Sequence, residues 1–388
     1  MTLPVGYTSR PMMQEDAELI ANQSATYTSA LLGFPKHSPE DVANYLRDPS
    51  INLSTDGWVV LTPNDTYAGS ATAMPLGNTQ LNIDILSDSP PILNWLLHQA
   101  EHRAHDLASA VPAAPAAPAA PAAPAAPAGP AGPAGPAAPA APAAPAGPAS
   151  TAGAEPLADS DGPARPARSG GSALLSTPPA GAAGGRREVV LRVGVIRQDR
   201  LLPQVLAARG FAVATSIQRM RISFDGPVAA PVVPAGVVVR QGAPDEVTRR
   251  AVHGVLMEAF AEQPDALPRP YDEWAASRES RSTFDWSQVT IVEIDGQAVG
   301  VTECNDNFVS TDNCGYVGRL AVIPSARGRG LAKFLLRTAF ATDSAAGRDG
   351  TILHVDTGNP TPAVALYTGV GMRPDLISDI WQRTMQPA

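Results

Sequence analysis

Cysteine is almost missing from this chain. Two residues, Cys304 and Cys314, stand in 388. That excludes a small secreted domain stapled by disulfides. Aromatic residues make up only 5% and charged residues 17%. Positive charge is also short, with 28 Lys and Arg against 37 Asp and Glu, a formal net charge of −9. Such a chain is repelled by the phosphates of nucleic acid and of anionic membrane, so neither is expected as a partner. Any anion it binds must meet a local basic site. No apolar run approaches the roughly 18 residues of a membrane span. The first residues, MTLPVGYTSRPMMQEDAE, lack a basic region followed by an apolar one, so no signal peptide is read. The expected compartment is the cytoplasm, and no metal site is assigned.

Proline and glycine, by contrast, are plentiful: 40 and 33 residues. From Pro112 to Pro148 a proline falls at every third position, 13 in one register, with only Ala and Gly between. Proline fixes φ near the polyproline II value, and that helix has three residues per turn. The wider segment 109–187 is a low-complexity insert with no side chains to build a core, and it is expected to be disordered. It reads as an expanded surface loop. The alternative is a weak ligand for a proline-binding partner.

The flanks of the insert locate it. Ile92–Ala108 reads as an amphipathic helix, and Glu188–Ile196 as a buried strand. The insert therefore interrupts one domain between a helix and a strand. A Pro-rich linker, 227–234, is the better boundary. It leaves a first domain, 1–226, whose insert-free part has 147 residues, and a second, 235–388, of 154. The two end alike. LRVGVI, LLPQVLAARGF and AVATSIQRMRISF in the first answer to TILHVDT, TPAVALYTGVGM and LISDIWQRTMQ in the second. Each series is a strand, a short helix stopped by glycine, and a final strand. Each domain also opens on a short strand and then a helix with an acidic cap, Asp16 or Asp245. This is a tandem repeat of one α/β unit.

The chemistry-bearing motif lies in the second unit. Gln297–Glu303 is a strand after an Asp295-Gly296 turn, and Gly315–Ile323 is another. A turn containing Arg327, Gly328, Arg329 and Gly330 follows, and then a helix with Leu331, Leu335, Leu336, Ala339 and Phe340 on one face. Strand, glycine turn and helix start direct backbone N–H groups at a phosphate. From Asn313 to Thr342 there are five basic residues and no acidic one.

LAVIPSARGRGLAKFLL resembles motif A of the GNAT acyl-CoA-dependent N-acetyltransferases. Its core, Arg/Gln-x-x-Gly-x-Gly/Ala, falls on Arg327 to Ala332. Asn359 to Met372 is similar to motif B of that family, with Met372 in place of the usual phenylalanine. The tandem arrangement is similar to the mycothiol synthase-like branch. The resemblance implies an α/β (α+β) fold of two tandem GNAT-like domains, each a mixed, splayed sheet flanked by helices.

The resemblance also implies acetyl-CoA as cofactor and direct acetyl transfer to a small-molecule amine in the second domain. The backbone of Leu320, Ala321 and Val322 would hold the pantetheine arm. Arg327, Gly328, Arg329, Gly330, Leu331 and Ala332 would take the pyrophosphate, and Asn359 would contact the cofactor near the splay. Tyr367 matches the tyrosine that protonates the leaving thiolate. A general base is needed because a free amine is mostly protonated at neutral pH. Glu303 is the first candidate, with Asp356 and His354 behind it, because Tyr316 stands where the family often has an acid. Two other readings stay open. One is mycothiol synthase-like acetylation of a cysteinyl amino-sugar conjugate. The other is a non-catalytic acyl-CoA-binding or partner-binding protein.

The first domain lacks this machinery. Between strand Gln80–Ile85 and the helix from Ile92 there is neither glycine nor arginine, and Asp84 and Asp88 would repel a pyrophosphate. Leu206 stands where the second domain has Tyr367. The first domain is thus expected to be degenerate, and to pack or to wall the substrate cleft.

Overall fold

The computed structural model of the chain describes residues 1–76, 79–109, 188–261, 269–358 and 361–386. The Ala/Pro-rich insert, and any docking role for it, lies past Ser109 outside the described residues. So does Asn359.

In the first half the elements run β1 (Thr8–Pro11), α1 (Ala17–Leu32), α2 (Pro39–Leu46), α3 (Leu53–Asp56), β2 (Gly57–Leu61), β3 (Tyr67–Leu76), β4 (Gln80–Leu86), α4 (Pro90–Ser109), β5 (Val189–Ile196), α5 (Leu202–Ala208) and β6 (Ala212–Ser223). The second half runs β7 (Val238–Gln241), α6 (Glu246–Phe260), α7 (Tyr271–Glu279), β8 (Val289–Ile294), β9 (Gln297–Asn305), α8 (Val309–Asp312), β10 (Cys314–Val322), α9 (Leu331–Ala345), β11 (Gly350–Asp356), α10 (Ala363–Gly369) and β12 (Arg373–Met385). Setting aside the single turns α3 and α8, every element of the first half has its counterpart in the second. The fold is a tandem repeat of one α/β unit.

Local pattern explains the elements. In β5, Val189, Leu191, Val193 and Val195 alternate into the core. In α4, Leu93, Leu97, Ala100 and Ala104 form one buried stripe at helical spacing. They meet β5 and Leu206 of α5 in the core of the first half. The second core gathers Val252 and Leu256 of α6, Ile291 of β8, Val301 of β9 and Leu335 of α9. Asp245 caps α6 by accepting the N–H of Thr248 at 2.8 Å. Asp16 departs from the expected cap. Its carboxylate accepts instead from Arg10, at 2.6 and 2.7 Å, and from the Met13 N–H at 2.8 Å.

The twelve strands of the described residues form one sheet in the order β1-β2-β3-β4-β5-β12-β6-β11-β10-β9-β8-β7. The two final strands are exchanged. β12 of the second half lies antiparallel to β5 of the first, from Ser378 opposite Ile196 to Met385 opposite Val189. β6 of the first half lies antiparallel to β11 of the second, from Gly350 opposite Ser223 to Asp356 opposite Ile217. β6 and β12 also pair with each other at the centre. The two cysteines do not face each other. Cys304 stands opposite Val317, and both thiols are free. Burial pushes both upward, Cys314 to about 11.

Candidate active site

The parallel pair β10–β11 is zipped only from Cys314 opposite Gly350 to Val317 opposite Leu353. Beyond it β10 stays with β9, from Arg319 opposite Glu303 to Val322 opposite Gly300. β11 stays with β6, from His354 opposite Arg219 onward. A register shift between Val317 and Arg319 starts the divergence. The sheet is therefore open between Gly318–Val322 on one side and His354–Asp356 on the other.

Alternation sorts the backbone groups in this opening. The Ile323 N–H donates to the Val299 carbonyl at 3.0 Å, toward β9. Two residues earlier, Ala321 turns its main-chain groups the same way, and Leu320 and Val322 turn theirs into the opening. Of the three residues expected to hold a pantetheine arm, Leu320 and Val322 present amides to the cleft. Ala321 contributes a buried methyl to the core.

At the end of β10 the chain makes one tight turn, Pro324–Ala326, and reaches Arg327. Gly328 and Gly330 follow with φ of +78° and +77°. Nothing lies within 4 Å of a Cβ added at either. Backbone conformation is thus the reason for glycine here: an L side chain pays for left-handed φ. The four residues 327–330 are exposed, and Gly330 leads directly into α9. Among the described residues, the amides of Gly328, Arg329 and Gly330 make no main-chain hydrogen bond outside helices and strands. They sit where the α9 dipole is positive. The Arg327 guanidinium donates to the Val322 carbonyl at 3.3 Å and the Ala259 carbonyl at 3.0 Å, tying the turn to β10 and to α6. Leu331 is buried and Ala332 half-buried, so these two offer backbone groups only.

Tyr367 lies on α10, half-buried against the α9 side of the sheet. Burial, and then the nearby Tyr316, push its hydroxyl up to about 12. It is a protonated phenol at any physiological pH and able to give a proton. On the other face Tyr316 Oη lies 3.1 Å from His354 Nδ1. Burial pushes His354 down to about 3, so its ring is neutral, and raises Tyr316. The sequence offered His354 as a second candidate; its pairing with Tyr316 across the splay carries no sequence signal.

Glu303, the first candidate for a base, is committed elsewhere. Its two oxygens accept from Arg278 of α7 at 2.9 and 2.8 Å, and it is 4% exposed. To take a proton from an amine it would have to leave a buried two-point ion pair. Asp356 is occupied too, accepting from the Thr215 hydroxyl and, at 2.7 Å, from the Gly358 N–H. Both acids hold structure in this geometry.

The first half repeats the opening. β4 and β5 pair from Gln80 opposite Val190 to Ile83 opposite Val193 and then part. The residues past the parting, 84–86 and 194–196, border a cavity of about 410 Å³ under α1 and α2. The same cavity reaches Tyr316, His354 and Phe308 of the second half. The turn after β4 has no left-handed glycine, and α4 begins with Pro90 and Pro91. Those two residues have no N–H to offer a phosphate.

Comparison with known proteins places these features. Residues 251–372 match the model described as the acetyltransferase (GNAT) family. A mycothiol acetyltransferase of Frankia casuarinae is 33% identical over 161 residues, which are 39% of this chain and 46% of that protein. A mycothiol acetyltransferase of Nocardia farcinica is 30% identical over 219 residues, 55% of this chain and 69% of that protein. The chain spans about half the length of the first of these curated relatives. Among solved structures, a GCN5-related N-acetyltransferase from Sphaerobacter thermophilus has a TM-score of 0.66 at 19% identity, covering 100% of this chain and 98% of that one. A tandem GNAT protein from the clavulanic acid biosynthesis pathway has a TM-score of 0.62 at 14% identity, covering 98% and 99%. At those identities the likeness is one of fold.

Proposed function

The chain belongs to the GNAT family of acetyltransferases, and from that premise we propose that its second half, 235–388, moves an acetyl group from acetyl-CoA to the amine of a small molecule. The observation that carries this reading is the continuous path from the β10–β11 opening to the turn 327–330. The donor set fits the cofactor. The amides of Leu320 and Val322 suit an extended amide-bearing arm, and those of Gly328, Arg329 and Gly330 suit a pyrophosphate.

Bound acetyl-CoA supplies an activated thioester carbonyl. The Leu320 N–H is aimed to stabilise negative charge on an acyl oxygen in the opening. Tyr367 holds a proton for a departing thiolate. Tyr316 and His354 form the wall that an acceptor amine meets, and the neutral His354 adds no positive charge against it. The cavity beside them carries Asp41, Asp48 and Asp84 together with Lys36 and Arg281, a lining of both charges suited to a polar acceptor. The first half, 1–226, acts in this reading as the acceptor's wall, with no nucleotide site of its own.

The names of the matched relatives favour a second reading of the acceptor, the mycothiol acetyltransferase substrate. Tyr316, standing where the family often has an acid, sets this chain apart. Titration with acetyl-CoA, followed by an amine screen for thiol release, tests the proposal. Absence of cofactor binding would sink it. Binding without turnover on any amine would favour a non-catalytic binding protein.

A further inference from the structure

The cavity under α1 and α2 holds a cation with no ion-pair partner among the described residues. Lys36 stands in the short loop between these helices and lines the cavity. The loop is fixed at both ends of its turn. Gly33, with φ of +85°, ends α1. The Lys36 N–H donates to the Thr28 hydroxyl at 3.0 Å. The Arg219 guanidinium lies 5.4 Å from the centre of the Phe34 ring.

Most other charges of the lining are already occupied. Asp41 accepts from the Ser38 N–H and hydroxyl, both at 2.8 Å. Asp48 accepts from the Ser277 hydroxyl at 3.0 Å and from Arg281 at 3.3 Å, which answers Arg281 as well. Burial pushes His37 and His354 down to about 3, so both rings are neutral. Burial also pushes the Lys36 ammonium down, while Asp84 draws it back across more than ion-pair distance. A half-buried cation in this state gains a charge-assisted bond from an arriving anion. Its place relative to the chemistry is set too. The same cavity reaches Tyr316 and His354, and after burial the Lys36 charge is the next cause that holds His354 down.

We infer that the acceptor carries a carboxylate besides its amine, and that Lys36 of the first half binds it while the amine meets Tyr316 and His354. The acceptor class is then an amino acid. This inference rests on the acetyl-transfer reading of the second half and names the acceptor for it. One unpaired cation matches a monoanion. The carboxylates of Asp41, Asp48 and Asp84 around it would repel a phosphate dianion more strongly. Lys36 is thus a specificity-determining residue, supplied by the half that has no glycine turn for a phosphate.

The test is steady-state thiol release by the full chain at saturating acetyl-CoA. The acceptors are a panel of L-amino acids and longer amino carboxylates, each paired with its carboxamide, and a set of uncharged primary amines. The wild type prefers the carboxylate form by about 10-fold to 100-fold in kcat/KM, as one hydrogen bond to a charged group should give. Lys36→Met removes the preference by raising KM for the carboxylate form, with kcat changed less than threefold. Lys36→Arg restores part of it. If the wild type favours carboxamides or uncharged amines, or if Lys36→Met weakens carboxylate and carboxamide alike, the assignment is overturned while acetyl transfer stands. If no amine of any kind is acetylated, the reading beneath it fails as well.

Discussion

Tyr316 and His354 meet across strands that have just parted. Tyr316 belongs to the last pairs joining β10 to β11, and His354 is the first residue of β11 past them. Their 3.1 Å contact lies where the cavity under α1 and α2 reaches the second half. If this wall receives the acceptor, Tyr316→Phe raises KM for the amine or lowers kcat/KM by about 10-fold to 100-fold. Acetyl-CoA affinity stays unchanged. An equal loss of cofactor binding would instead mark Tyr316 as structural.

Because His354 is held near a pKa of 3, its titration is absent from the working pH range. The rate should rise with pH through deprotonation of the amine, with no step near the ordinary histidine value of about 6.5. A pH profile of kcat/KM on two amines of different pKa checks this. The rising limb must move with the amine.

Glu303 and Arg278 predict a division between stability and chemistry. Glu303→Gln weakens a buried ion pair and lowers unfolding free energy by about 1–3 kcal/mol. Measured below its own Tm, the variant keeps the shape of the pH–rate profile. Loss of the alkaline plateau with unchanged Tm would restore Glu303 as the base.

The turn predicts a binding defect. Gly330→Ala places a Cβ at φ of +77° and costs about 1 kcal/mol of strain. The helix then re-forms around a shifted N-terminus and loses acetyl-CoA affinity. Arg327→Glu abolishes binding outright. Tyr367→Phe leaves binding near normal and slows turnover about 10-fold to 100-fold, which calorimetry and thiol release separate.

Asp343 gives a prediction about folding and pH. Burial is the main cause that pushes its carboxyl up to about 6, against an accepting bond from the Thr351 hydroxyl. Because its folded pKa is above its unfolded value of 3.8, the folded state binds the extra proton between about pH 4 and 6. Stability therefore falls as pH rises through that window. Asp343→Asn removes the dependence and gains up to about 3 kcal/mol at pH 7, with no gain at pH 3.5. Urea melts at the two pH values decide it. A side chain at Gly315 would displace this carboxylate, since an added Cβ would come within 2.2 Å of it.

Much of this molecule is written locally, and that much was legible. The stripe Leu93–Leu97–Ala100–Ala104 and the alternation of β5 follow from period alone. Asp295-Gly296 closes the β8–β9 hairpin with positive φ at both positions, as that dipeptide should. The turn 327–330 announces itself by composition. What the sequence hid is non-local. Arg278 is 25 residues from Glu303 and nothing in either neighbourhood marks the pair. The Tyr316–His354 contact depends on where two strands stop pairing, and residue type does not encode that point. Ala321 fails as an amide donor because one residue of register reverses a strand's inward and outward groups.

The exchange of β6 and β12 bears on how the duplication has lasted. Each half keeps its sheet whole by borrowing the other's last strand. A half without a glycine turn after its fourth strand, as the first is, still cannot be discarded. Without it, β11 would show a bare edge to any passing chain, and β12 would have no neighbour on either side. The repeat is held together by mutual hostage, and neither half can be removed without exposing strands of the other.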